Sequence, residues 1–164
     1  MLADLERLLT ILDAARIEYI VIGGVAMSAH GSAHVTYDLD ICYRRTKDNI
    51  ERLCNALEPI HPFLRGAPKD LPFRFEPKTV QAGMNFTLVT DLGDLDLLGE
   101  VTGLGNFDAI SPVSESKVYG DSEVRVVNLE ALIRSKRAAG RAKDLSKIDE
   151  LEALRDLKDR LKEG

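Results

Sequence analysis

No stretch of this 164-residue sequence is apolar for long enough to cross a membrane, and its N-terminus lacks a signal-peptide pattern. These absences lead to the expectation of a cytoplasmic protein with no membrane partner. Cysteine is scarce. Only Cys42 and Cys54 are present, and with nothing to suggest export both are read as reduced thiols. Basic excess is missing too: the net charge of −5 offers no whole-chain reason for tight nucleic-acid binding, so a basic site must be local. There is no Gly-x-Gly-x-x-Gly and no Gly-Lys-Ser/Thr, which removes the dinucleotide-fold and P-loop readings. No internal repeat, low-complexity segment or second-domain linker is visible. Residues 1–164 are therefore expected to form a single domain, with 45% hydrophobic and 30% charged residues as in soluble globular chains.

What is present alternates between helix and strand periods. Leu2, Leu5, Leu8, Leu9 and Leu12 recur at helical spacing and predict a first helix ending near Ile17. Glu18 to Ile22 is short, apolar and β-branched, as in a buried strand. Gly23 and Gly24 punctuate it, Val25 to His30 can make a helix of less than two turns, and Gly31 can stop it. Tyr37 to Tyr43 reads as a strand. Thr46 or Asp48 can cap a helix running to Pro59. The Pro-rich stretch from His61 to Pro77 predicts a structured loop. Met84–Thr90 and Asp94–Val101, around Asp91-Leu92-Gly93, predict a hairpin. A strand over Glu123–Val127 precedes two C-terminal helices, about 128–163, broken at Gly140. The second carries Leu145, Ile148, Leu151, Leu154, Leu157 and Leu161 on roughly one face. The expected fold is α/β: a small mixed sheet, flanking helices and a C-terminal helical segment.

The chemistry concentrates in Tyr37–Tyr43. Strand residues two apart share a face, about 6.5–7 Å apart, so Asp38 and Asp40 point together while Leu39 and Ile41 point the other way. Such a pair repels itself unless a cation intervenes. Hard divalent ions take oxygen ligands and keep open positions for water and phosphate, and two of them can clamp a phosphoryl displacement. Asp96, flanked by leucines on another predicted strand, is the natural third ligand. Asp94 shares its face but sits nearer the turn, where solvent is expected to meet it. A solvated strand face is the plain alternative for an isolated Asp-x-Asp. Here the pair follows a strand–Gly-Gly–helix unit, where a helix N-terminus favours anions and glycine permits close approach.

The combination Gly-Gly-Val-Ala at 23–26, Thr-x-Asp-x-Asp at 36–40 and Lys…Lys-Asp within Ser135–Leu145 resembles the nucleotidyltransferase superfamily. More narrowly it is similar to small bacterial AbiEii-type toxin nucleotidyltransferases. The resemblance implies a nucleotidyltransferase-like mixed sheet and transfer of a nucleoside monophosphate from an NTP to an acceptor hydroxyl. It implies Mg²⁺ or Mn²⁺ held by Asp38, Asp40 and Asp96, which would also be the catalytic residues. Gly23, Gly24, Lys136 and Asp144 would bind the nucleotide. The acceptor would be an RNA end, a protein or a small molecule, with an antitoxin as a further partner. Two positions depart from the pattern: Gly24 stands where Ser is common, and His34 where Arg is usual. They leave a second reading, a weak or inactive nucleotide-binding or interaction module on the same fold.

Other candidates carry less. His30 and His34 are four apart, but Gly31 and Ser32 interrupt the helix and nothing nearby completes a zinc site, so His30 is read as packing or capping. Ser28 has no evident base partner. Arg134, Lys136, Arg137, Arg141, Lys143 and Lys147 form the one local basic cluster. It is either a solvated helix pair or a phosphate-binding wall, which Arg65 of the Pro-rich loop would join.

Overall fold

A computed structural model of the chain describes residues 3–33 and 36–163. Leu2 and His34 lie outside the described residues. The chain opens with α1 (Leu5–Ala14), whose buried stripe is Leu8, Leu9 and Leu12 and whose cap is Asp4. The helix stops before the expected Ile17, because Arg16 turns into the left-handed region at φ 56°. Strand β1 (Tyr19–Ile22) is buried throughout and runs straight into α2 (Gly23–Ala29). Strand β2 (Asp38–Tyr43) follows, then α3 (Lys47–Leu57), capped by Thr46 as its sequence suggests.

Much of the Pro-rich stretch is loop, yet Phe63–Leu64 pairs with the next strand as β3. Pro77 then opens α4 (Pro77–Ala82), which the prolines had concealed: proline is welcome in a first helical turn, where its missing N–H has no partner to lose. The expected hairpin is β4 (Asn85–Thr90) and β5 (Gly93–Leu98). Beyond it lies structure that hydrophobic patterning did not reveal. A two-strand ribbon, β6 (Glu100–Val101) with β7 (Gly105–Asn106), leads to the single turn α5 (Phe107–Ile110). Strand β8 (Ser114–Tyr119) pairs antiparallel with β9 (Ser122–Val127). Helices α6 (Leu129–Ala139) and α7 (Ala142–Glu163) close the described chain, with Gly140 in the left-handed conformation between them (φ 66°).

Among the described residues the strands form one seven-stranded mixed sheet, β3-β4-β5-β2-β1-β9-β8. The β2–β5 and β1–β9 pairs are parallel and the others antiparallel. Leu39, Ile41, Leu95 and Leu97 share one face of the central strands and are wholly buried. Helix α2 packs on β1 and β2 and against α6, which packs in turn on α7. Asn49, buried on α3, joins the ends of β1 and β2 by accepting from Glu18 N–H and donating to the Glu18 and Arg44 carbonyls. His30 is indeed a packing residue, its ring hydrogen-bonded to the Val127 carbonyl at 2.8 Å. Cys42 and Cys54 are free and buried.

The leucine stripe of α7 is only partly a core face. Ile148 and Leu151 are buried and Leu154 packs at the margin, whereas Leu145, Leu157 and Leu161 are exposed. The contrast gives a stability test. Leu39→Ala should cost about 2–5 kcal/mol, the usual cost of truncating a fully buried leucine. Leu161→Ala, 72% exposed, should change stability by less than about 0.5 kcal/mol. Urea unfolding of both variants checks the pair.

Candidate active site

The parallel register of β2 against β5 sets Asp38 opposite Asp94 and Asp40 opposite Asp96. Directly paired residues project from the same side of a sheet, so four carboxylates share one face. Three of them converge: one oxygen each from Asp38, Asp40 and Asp96 lies within 4.8 Å of the other two. The antiparallel neighbour β1 brings Ile22 opposite Asp40, and the next residue is Gly23. A Cβ on Gly23 would overlap Asp40 Oδ2 and contact Cγ, and its φ of 66° disfavours any side chain. The glycine is thus required twice, by backbone conformation and by the space Asp40 fills.

These oxygens are crowded and partly dry. Burial, then the charges of Asp38 and Asp96, push the Asp40 carboxyl up to about 8. Burial raises Asp96 as well, with the Arg65 guanidinium pulling the other way. Asp40 Oδ1 is buried with no hydrogen-bond partner among the described residues. A cluster of hard oxygen donors with an orphaned buried oxygen and no room for a side chain beside it fits a small divalent cation.

Asp40 and Asp96 line a cleft of about 270 Å³ whose opposite wall comes from the junction of α6 and α7. Of the basic cluster, Lys136 and Arg141 line it. Arg137 turns instead to Glu152. Asp144 is a buried anchor for the two lining cations: Lys136 Nζ lies 3.3 Å from Oδ1, and Arg141 donates through Nε to Oδ2 at 2.5 Å and through Nη2 to Oδ1 at 3.2 Å. Its side chain is 1% exposed. Burial opposes its ionisation, but the Arg141 and Lys136 contacts prevail and hold it below the usual carboxylate range. Asp144 lines the same cleft, with both oxygens paired to the two cations.

Arg65 does not stand on the Lys136–Arg141 wall. It lies across the carboxylates, with Nη2 2.7 Å from Asp96 Oδ1 and Nε 3.2 Å from Asp94 Oδ2. Asp94 is therefore ion-paired rather than simply solvated. Val101 and Thr102, from the β6–β7 ribbon, also line the cleft; no pattern in that short ribbon marks them. A larger cleft of about 640 Å³ lies at the other end of β2, over Tyr43 and Phe107. Its arginines are committed: Arg44 pairs with Glu18 at 2.9 Å, and Arg45 donates to the Val80 and Gln81 carbonyls.

Crowding predicts a pH effect in the absence of metal. Between the ordinary value of 3.8 and about 8, folded Asp40 keeps a proton that the unfolded chain has released, so stability falls as pH rises through that window. Asp40→Asn removes the effect. The variant should match wild type near pH 4 and exceed it by about 1–3 kcal/mol near pH 8, well under the unscreened equivalent of the shift because the cluster is partly solvated. Melting curves in chelator across that range measure the difference. A variant badly destabilised at every pH would make Asp40 a structural acceptor.

No protein-family model matches the chain, and no curated protein matches it. Its fold does match solved structures. The lincomycin-bound crystal structure of the lincosamide antibiotic adenylyltransferase LnuA superposes with a TM-score of 0.60, covering 92% of this chain and 95% of that one at 15% identity. A candidate nucleotidyltransferase from Thermotoga maritima gives 0.49 over 95% and 92% of the two chains at 12% identity, a likeness on which nothing is built. The chain thus has a nucleotidyltransferase-like mixed α/β fold.

Proposed function

We propose that residues 1–164 form a single-domain, metal-dependent nucleotidyltransferase that moves a nucleoside monophosphate from an NTP to an acceptor hydroxyl. One observation carries the reading: Asp38, Asp40 and Asp96 converge beside a glycine that must lack a side chain, across a cleft from Lys136 and Arg141. The donor set suits Mg²⁺ or Mn²⁺, held by the three aspartates. Bound there, such an ion supplies Lewis-acid activation of the reacting phosphate and its attacking hydroxyl.

The chain's own residues do the rest. Lys136 and Arg141 hold the phosphates that leave as pyrophosphate, and Asp144 fixes both cations on the wall. Gly23 and Gly24 would bind the triphosphate, Gly24 by presenting backbone without a side chain and Gly23 by leaving its side-chain space to Asp40. Asp96 would help the ion activate the acceptor hydroxyl, which gives up its proton to solvent as its oxygen bonds to the α-phosphorus and the bridge to the β-phosphate breaks. The acceptor is an RNA end, a protein or a small molecule. Kinship with AbiEii-type toxins, and with it an antitoxin partner, rests on the Gly-Gly, Asp-x-Asp and Lys…Asp spacing, and a cytoplasmic setting on the missing export signals. Among the described residues no helix is long and apolar enough to cross a membrane.

The test is incubation with each labelled NTP, Mg²⁺ and either cellular RNA or lysate. Wild type should transfer label, and Asp38→Asn and Asp96→Asn should not. Mg²⁺-NTP at a hundredfold excess over its Kd should stabilise wild type by about 2.7 kcal/mol, a gain that Asp40→Asn mostly loses. Lys136→Ala and Arg141→Ala should weaken NTP binding, with a loss that shrinks at high salt. Stabilisation without transfer would identify a nucleotide-binding module. The absence of both effects would remove the assignment.

A further inference from the structure

Arg65 sits where the chain leaves β3. Its backbone N–H donates to the Thr87 carbonyl at 2.9 Å, and Thr87 is the register partner of Asp96. The edge of the sheet therefore sets the arginine's height above the carboxylates. Its guanidinium is anchored by two hydrogen bonds and one ion contact: Nη2 donates to the Leu88 carbonyl and to Asp96 Oδ1, both at 2.7 Å, and Nε lies 3.2 Å from Asp94 Oδ2 without forming a hydrogen bond. Two of these anchors, Leu88 and Asp94, lie outside the converging triad. The Leu88 carbonyl and the Asp94 charge thus hold the guanidinium through contacts that do not involve Asp96.

We propose that Arg65 is a positioning residue for nucleotidyl transfer: it fixes the plane of the Asp96 carboxylate through one oxygen, leaving the other for the cation, while Asp94 holds and neutralises Arg65. The inference rests on the nucleotidyltransferase reading of the site. A carboxylate held by one oxygen against a rigid planar fork cannot swing away from Asp40, as repulsion would otherwise drive it to do. A bare guanidinium would repel a dication. The Arg65–Asp94 pair has no net charge, so orientation outweighs repulsion. Asp94 thereby acquires a task, although it is in register with Asp38 and yet lies outside the triad. Outer partners of metal-ligating carboxylates are commonly worth 10–100-fold in metal affinity.

The experiment is Mn²⁺ titration of the full chain without nucleotide, free Mn²⁺ being read by electron paramagnetic resonance. Steady-state kinetics with Mn²⁺-NTP accompany it, and Asp38→Asn is the reference. Arg65→Ala should bind Mn²⁺ about 10-fold or more weakly and lower kcat more than it raises KM for NTP, since Arg65 does not touch the phosphate wall. Arg65→Lys should recover little, because an ammonium cannot span Leu88, Asp94 and Asp96 together. Asp94→Asn should weaken Mn²⁺ about three- to tenfold by leaving the guanidinium charge uncompensated. If Asp38→Asn binds Mn²⁺ like wild type, there is no triad ion and the nucleotidyltransferase reading itself fails. If Asp38→Asn loses Mn²⁺ but Arg65→Ala binds as well as or better than wild type, the positioning role is overturned. Should Arg65→Ala not fold, the folded Lys variant decides: wild-type affinity and kcat there would overturn the role equally.

Discussion

The site depends on one pairing, the parallel register of β2 with β5. A shift by one residue would turn Asp96 to the face of Leu39 and Ile41 and bury a carboxylate among leucines. The same alternation that drives Leu39, Ile41, Leu95 and Leu97 into the core drives Asp38, Asp40, Asp94 and Asp96 together on the other side. Hydrophobic burial therefore enforces the electrostatic crowding. Apolar side chains on the buried face hold like charges in a proximity that they would not adopt alone. Gly23 completes the arrangement by leaving Asp40 the volume that any other residue would fill.

Two devices moderate that charge, one on each side. On the sheet edge, Arg65 lies between Asp94 and Asp96. On the helical side, Asp144 is buried and doubly paired, which ties Lys136 and Arg141 to the wall of the cleft. The arrangement is reciprocal: a buried acid orders the cations of one wall, and a half-buried cation orders the acids of the other. The helical wall is itself tethered. His30 of α2 bonds to Val127 and, through its other nitrogen, to Lys158 of α7 at 3.0 Å.

The triad was legible because two Asp-x-Asp segments with intervening leucines and isoleucine can satisfy burial in only one way. The glycine pair and the Lys136…Asp144 spacing were legible as motif. What escaped did so for physical reasons. Asp94 looked solvent-bound because nothing along the chain says that an arginine from a Pro-rich segment folds over it. The motif marked Asp144 for nucleotide, but its place as the buried partner of Lys136 and Arg141 emerges only when α6 and α7 are packed together. Strand β8 is a polar edge strand whose two large apolar residues, exposed Val118 and half-buried Tyr119, are adjacent, so period-two patterning had nothing to register. Leu157 and Leu161 kept helical spacing beyond the point where α7 has anything to pack against.

The β2–β5 pairing also has a kinetic side. The two strands are far apart in sequence, and the chain between them forms α3, β3, α4 and β4. Contacts of this kind close late, after the entropy of a long loop has been lost. The repulsion of Asp96 against Asp38 and Asp40 consequently arises only as β2 docks on β5, adding to the repulsion already present between Asp38 and Asp40 on their own strand. A counterion captured at that moment would act on the final step of folding and on the first step of unfolding, leaving early collapse untouched. The cluster is thus a brake on the chain's own closure, and whatever neutralises it decides how long the closed sheet persists.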